Sequence, residues 1–401
     1  MDIQQLYQEL EEVFPKMVEI RRDLHQNPEL GFEEVRTPKL IAEYLTELGL
    51  EVRTEVGGRG VVGTLRGGKP GKTVALRADF DALPIQDEKE VPYKSQVPNK
   101  MHACGHDGHT ATLLGVATVL AKHRDELEGN VVFIHQHAEE IAPGGAKPMV
   151  EDGCLDGVDV IFGAHLSSIT PLGQIGYREG YKSAAADSFK ITINGKGGHG
   201  ASPHQTVDPV VTASQLVINL QQIVSRNVDP IKSAVLTVGS IHSGKAGNVI
   251  PDSATINGTI RSYDPEVRDL LEERLKHIAE TTCALTGATC EVQYSRGYDA
   301  LWNHPKETRY LRDIAKEVVG EENVIETPPG MGAEDFTYYI QKVPGTFFNV
   351  GAKLDDPSRV FPHHHPRFDF DEKAMLIAAK VFVTAIAKIN ETVYTEEAVE
   401  A

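Results

Sequence analysis

Val131-Val132-Phe133-Ile134 is an uninterrupted apolar run that follows a helical stretch from about Thr110 to His123, and it reads as a buried strand. Working outward, Val158-Asp159-Val160-Ile161-Phe162-Gly163 reads as another strand. Upstream, Val61-Val62-Gly63-Thr64-Leu65 and Thr73-Val74-Ala75-Leu76 look like short strands broken by a Gly/Lys/Pro turn. Residues 2–48 are helical in pattern: Leu6, Leu10, Phe14 and Met17 recur at helical spacing, and a second helix runs from Pro38 to Leu48, ending at Gly49. Short apolar runs alternating with helices predict an α/β fold with a mostly parallel sheet covered on both faces.

The pattern changes near Ala184. Ser188-Phe189-Lys190-Ile191-Thr192-Ile193 alternates like a half-exposed strand. A helix follows at Pro209–Val224, then strands at Ala234–Ile241 and Ala254–Ser262, a helix at Pro265–Leu285 and a strand at Cys290–Tyr294. The order β-α-β-β-α-β is that of a ferredoxin-like α+β domain. After about Tyr298 the α/β style resumes, with a helix at Lys306–Val319, a strand at Thr346–Val350 and a last helix at Asp371–Ile389. The expected organisation is a catalytic domain in two parts, residues 1–183 and 298–401, with residues 184–297 inserted between them.

With 401 residues the chain can bury a core of its own. Charged residues at 24% and hydrophobic ones at 40% exclude a disordered tail protein. Lys+Arg total 40 against 58 Asp+Glu, a net charge of −18, which argues against nucleic acid or an anionic membrane as a partner. The polar, acidic start from Met1 to Glu11 does not read as a signal peptide, and no apolar stretch approaches the roughly 18 residues of a membrane span. Cys104, Cys154, Cys283 and Cys290 form no Cys-x-x-Cys pair; Cys283 and Cys290 could pair in principle, but free thiols in a cytoplasmic protein are the better reading. Sixteen histidines are a rich supply of the commonest metal ligand.

The densest chemical signal is Met101-His102-Ala103-Cys104-Gly105-His106-Asp107-Gly108-His109-Thr110, in which Cys104 and His106 can turn to one ion from a Gly-flanked turn before a helix. Glu139-Glu140 follows the strand ending at His135, at the edge where open α/β sheets bind ligands. One carboxylate there can ligate a metal while its neighbour takes a proton from water. His165 is expected just after the strand Val158–Gly163, and Pro362-His363-His364-His365-Pro366 in a loop after another apolar stretch. Taken singly, a Glu pair is usually two solvated acids and a lone His is usually structural. Here thiolate, imidazoles and carboxylate all fall after strands of one sheet, and the set suits zinc, with manganese, cobalt or nickel as alternatives. Five ligands exceed a tetrahedral site, so two ions are expected. The acids of Arg77-Ala78-Asp79-Phe80-Asp81-Ala82-Leu83-Pro84 can orient ligand imidazoles through their second N–H.

These motifs resemble the aminoacylase/carboxypeptidase family of di-metal amidohydrolases, in the branch of N-acyl-amino-acid deacetylases, hippurate hydrolases and plant auxin-conjugate hydrolases. The likeness runs in order through His25-Gln26-Asn27-Pro28-Glu29-Leu30-Gly31, Leu76–Pro84, His102–Thr110, Ala138-Glu139-Glu140, Gly163-Ala164-His165 and Gly197-Gly198-His199. It continues through Gly247-Asn248-Val249-Ile250-Pro251, Met331-Gly332-Ala333-Glu334-Asp335-Phe336 and His364-His365-Pro366-Arg367-Phe368. The resemblance implies a phosphorylase/hydrolase-like catalytic domain with an inserted lid and dimerisation domain, and hence a homodimer or higher oligomer. It implies metal ligands Cys104, His106, Glu140, His165 and His364, with Glu139 as general base. It further implies that His199 stabilises the oxyanion and that Asn248 and Arg261 grip the substrate carboxylate. Gln136-His137 stands where the branch has Gln-Pro, and the triple histidine leaves His363 and His365 open as replacements for His364.

The expected activity is hydrolysis of N-acyl amino acids, with dipeptidase or carboxypeptidase action at the same site as the alternative. A non-catalytic metal- or metabolite-binding protein would have no use for a base beside Glu140. A cysteine nucleophile at Cys104 would work without metal.

Overall fold

Asp2 opens the first helix by accepting the amide of Gln4, and Leu6, Leu10, Met17 and Leu24 line its buried face. The structure is a computed structural model that describes residues 1–391. Its main helices are α1 (Ile3–Gln26), α2 (Arg36–Glu47), α3 (His106–Lys122), α4 (Pro209–Gln222), α5 (Pro265–Thr286), α6 (Pro305–Val319) and α7 (Lys373–Lys388). The main strands are β1 (Glu51–Val56), β2 (Gly60–Arg66), β3 (Lys69–Asp79), β4 (Glu128–Gln136), β5 (Val160–Pro171) and β6 (Ile175–Tyr177). They continue with β7 (Ala185–Asn194), β8 (Ala234–Ser243), β9 (Ser253–Ser262), β10 (Thr289–Arg296), β11 (Val324–Glu326) and β12 (Gly345–Lys353). The chain divides into two units, one built from Met1–Gly180, Trp302–Pro328 and the residues from Asp335 on, the other from Tyr181–Leu301 and Pro329–Glu334.

The first unit holds an eight-stranded sheet in the order β1-β2-β4-β3-β5-β12-β6-β11. It is mixed but mostly parallel: β3 runs parallel to β4 and β5, β12 to β5, and β11 to β6, while β1–β2, β2–β4 and β12–β6 are antiparallel. Leu76, Phe133, Phe162 and Phe348 fill its interior. Each such buried side chain contributes about 1.5–3 kcal/mol over its exposed state. Helix α3 is apolar on nearly every side and is buried from His106 to Leu120 save Thr118. It packs against α1 so closely that a Cβ at Gly115 would lie 2.6 Å from Met17 Sδ. On α7, Phe382 meets Phe348 edge-on with ring centroids 5.6 Å apart.

Register sets up the chemistry. Asp79 pairs with Gln136, so β3 and β4 end together. Arg77 pairs with Gly163, and β5 runs on past that level. His165 therefore lies inside β5, opposite Asn349, and not beyond a strand end as the sequence reading expects. The reason is β12, whose ladder with β5 continues as far as Lys353 opposite Pro171 and keeps the strand extended.

The second unit has a four-stranded antiparallel sheet, β8-β9-β7-β10, with α4 and α5 packed on one face. Asp208 and Asp264 cap the two helices, each accepting two amides ahead of a proline in the first turn. Phe189, Ile191, Ile193, Leu216, Leu220, Ile256, Leu271 and Leu275 form its separate core. Among the described residues no helix is long and apolar enough to cross a membrane.

Candidate metal centre

Loops leaving the first unit's sheet, together with strand β5, deliver donors to one place. The turn before α3 carries Cys104, with His106 the first helical residue and Gly105 at φ +96°, where any side chain would be strained. Glu139 and Glu140 follow β4, and His165 sits on β5. The ligating atoms of Cys104, His106 and His165 all lie within 4.8 Å of one another, and so do those of Cys104, Glu140 and His364. Cys104 Sγ is 3.5 Å from His165 Nε2, Glu140 Oε1 is 3.3 Å from His364 Nε2, and across the two sets Glu140 Oε1 is 3.9 Å from His106 Nε2. His106, Glu139 and Glu140 form a further close group.

The imidazoles are aimed from behind. Nδ1 of His106 lies 3.1 Å from Asp81 Oδ1, and His165 Nδ1 donates to the carbonyl of Leu166 at 2.8 Å. Both rings therefore turn their Nε2 atoms inward. His109 is different: its Nδ1 donates to Asp79 at 2.6 Å and its Nε2 accepts the amide of Leu166 at 3.0 Å. With both nitrogens used it cannot ligate; it ties β3 to the strand carrying His165. Asp79 also meets Arg77 at 2.6 Å, and Arg77 reaches Asp335 at 2.9 Å and Gln136 at 2.8 Å, all buried. Burial opposes the charge of Asp79, but Arg77, His106 and His109 hold its carboxyl well below the usual range.

Of the three consecutive histidines, His364 is the one that reaches Glu140. Its backbone stands at φ +65°, pinned by its amide donating to Ala103 O at 2.8 Å. His363 packs edge-on against His165 at 5.1 Å, and His365 stacks on Phe361 at 4.3 Å while its Nδ1 accepts the amide of Arg367. Ala138, just ahead of Glu139, is also left-handed, at φ +52°. Such backbone costs about 1–3 kcal/mol per residue and persists where the surroundings fix it.

The residues fit metal ions on two counts. His106 Nε2 and Glu140 Oε1 are buried and have no hydrogen-bond partner, yet they face each other across the cluster. Burial, together with Glu140, Glu139 and Asp79, pushes the Cys104 thiol well above its ordinary pKa. Burial would depress His106, but Asp79, Asp81 and Glu140 outweigh it and raise its pKa to about 10. A pocket this rich in negative charge calls for cations, and a cation turns Cys104 into a thiolate ligand.

On the second unit, His199 pairs with Val249 in a two-stranded ladder, and the amide of Gly200 donates to Asn248 O at 2.9 Å, so these two motifs are neighbours. His199 is exposed, its Nδ1 accepting the amide of Ala201. Arg261 lies apart from them on β9, half-buried, donating to Ile260 O at 2.9 Å and to Thr259. Sequence reading gives no role to His109, Asp107 or His25. Nδ1 of His25 lies 2.7 Å from Asp107, whose carboxylate also pairs with buried Arg21 at 3.0 Å, anchoring the start of α3 to α1.

Residues 75–388 match the model of peptidase family M20/M25/M40. The chain belongs to that family. Thermostable carboxypeptidase 2 of Saccharolobus solfataricus is 43% identical over 380 residues, covering 94% of this chain and 96% of that protein. N-acetyl-L-cysteine deacetylase of Bacillus subtilis is 42% identical over 373 residues, covering 93% and 88%. The solved structure of Bacillus subtilis YXEP protein, described as a dinuclear metal binding peptidase of the M20 family, superposes with a TM-score of 0.82 at 35% identity, covering 96% of this chain and all of that one. As an M20 member the protein is a metal-dependent amidohydrolase.

Proposed function

We propose that the protein hydrolyses the amide bond of N-acyl amino acids. The observation that carries the reading is Glu139, 8% exposed, whose carboxylate lies in one close group with the carboxylate of Glu140 and the imidazole of His106, a base set beside ligands. Cys104, His106, Glu140, His165 and His364 would hold two divalent ions, zinc or else manganese, cobalt or nickel. When bound, such ions lower the pKa of water and polarise a carbonyl. Glu139 then takes the proton of the attacking water and passes it to the leaving amine nitrogen.

From the second unit, His199 is assigned to donate to the tetrahedral oxyanion, a contribution of roughly 3–4 kcal/mol for one good donor, and Asn248 and Arg261 to grip the free carboxylate. These three assignments rest on the motifs that carry them. The 42% identical N-acetyl-L-cysteine deacetylase supports the acyl-amino-acid reading; the 43% identical carboxypeptidase favours peptides as a second one. A homodimer belongs to the proposal, and the outer strand β8 is available to pair with a second copy. A cytoplasmic location keeps Cys104 a thiol able to take up metal.

The test is a hydrolysis panel of N-acetyl-methionine, hippurate and Ala-Ala after reconstitution with each metal in turn. Preference for the first two is expected. A Glu139→Ala protein that retains its metals and hydrolyses N-acetyl amino acids at the normal rate would overturn the scheme.

A further inference from the structure

The segment Ala138-Glu139-Glu140 hangs by its backbone from two buried carboxyl groups. The amide of Glu140 donates to Asp81 Oδ2 at 2.9 Å, and the amide of Ala138 donates to Glu34 Oε1 at 3.0 Å. Asp81 already serves His106 with its other oxygen. Glu34 comes from elsewhere, the loop between α1 and α2, and it is fully buried with Oε2 lacking a hydrogen-bond partner. A buried carboxyl with one oxygen unsatisfied is costly, and groups of this kind are kept where function requires them.

The loop around Glu34 is built to hold still. Glu29 accepts the amides of Val35, Arg36 and Thr37 at 2.9, 2.9 and 2.8 Å, and its own carbonyl accepts the amide of Ala82 at 2.8 Å. Arg59 donates to the Glu34 carbonyl. Phe32, at φ +65°, sets its ring edge-on to His137, 5.7 Å away. Gly31 lies so near that a Cβ there would be 3.1 Å from Ala138 Cα. The left-handed turn at Ala138 is thus fixed by Glu34 from one side and bounded by Gly31 from another.

The geometry points to Glu34 as a positioning residue that, with Asp81, sets the aim of Glu139 and Glu140 by holding the backbone between them. This rests on the roles proposed above for those two acids. What matters is the reach of an acceptor oxygen to the Ala138 amide, and not negative charge: burial, with help from Asp81, already raises the Glu34 pKa to about 7. Glutamine keeps that acceptor in place, whereas aspartate keeps the charge but withdraws it by one methylene.

Glu34→Asp and Glu34→Gln are compared with the native holoenzyme in kcat, KM and metal affinity by chelator competition. Glu34→Asp is expected to lower kcat by about ten- to a hundredfold with KM within about twofold, and to weaken metal binding about tenfold, since Glu140 moves with the turn. Glu34→Gln is expected to stay within about threefold of native in each. Gly31→Ala, pressing on Ala138 from the other side, repeats the aspartate pattern and decides the case should Glu34→Asp not fold. Native values for Glu34→Asp, or Glu34→Gln as impaired as Glu34→Asp, would overturn the inference. Glu139→Gln is the control. If it is as active as native, the assignment of the base fails; if it is inactive while Glu34→Asp is native in rate and metal affinity, only the role of Glu34 fails.

Discussion

The stability of the metal-stripped protein, measured against its Glu34→Gln variant, should fall between about pH 4.5 and pH 7. Burial is the main cause that lifts the Glu34 carboxyl from its ordinary 4.5 to about 7; Asp81 adds to it, and its own amide, the Ala138 amide and Arg59 oppose it. Below pH 4.5 the group is protonated in folded and unfolded chains alike. Between 4.5 and 7 the unfolded chain releases the proton while the folded one keeps it, so the contribution of Glu34 to stability declines as pH rises. The loss is about 1.4 kcal/mol per pH unit, about 3 kcal/mol over the interval, and it levels off above pH 7. The buried amide of glutamine adds a constant cost, so the quantity to follow is the difference between the two proteins as pH changes. Urea denaturation of both, metal-stripped, from pH 4 to pH 9 measures it. A difference that does not change with pH would show that Glu34 ionises as easily in the folded protein as in water, and the reasoning from its burial would be refuted.

Glu139→Gln should lower kcat by about 10²–10⁴-fold with bound metal unchanged by elemental analysis; a smaller loss would mean another base. Arg77→Met leaves Asp79 and Asp335 facing each other's charge in a buried site, and should cost about 3–5 kcal/mol in denaturant unfolding. Chelation should abolish hydrolysis and lower the melting temperature, since ions at a thousandfold excess over Kd contribute about 4 kcal/mol. Restoring a divalent metal should recover both, and activity that survives chelation would favour chemistry at Cys104 itself.

Much of the fold is legible along the chain because burial on both faces writes continuous apolar runs, as at Val131–Ile134 and Ile161–Phe162. The β-α-β-β-α-β order of the second unit reads equally well from alternation, with Phe189, Ile191 and Ile193 inward. The strand β1, whose middle is largely exposed and charged, leaves no such trace, and the antiparallel edge it makes with β2 is invisible in the sequence. In the site, Cys104, His106 and the Glu139-Glu140 pair announce themselves by local spacing. Their supports do not: Arg77 meets Asp335 across 258 positions, and Glu34 meets Ala138 across 104. The left-handed backbones of Ala138 and His364 escape sequence reading for another reason. No glycine marks them, since long-range contacts and not local preference impose the turn.

The short run Pro329–Glu334 belongs to the second unit although both its flanks belong to the first. Within that unit it lies along 182–184: Gly330 bridges Ser183, its amide donates to Lys182 O at 2.8 Å, and Ala184 donates to Gly332 O at 2.9 Å. For anyone exchanging this module between relatives, a graft with two crossover points would carry 181–301 and leave its last ribbon behind. A chimera that respects the structure needs four junctions, and the isolated module must be expressed as two spliced segments.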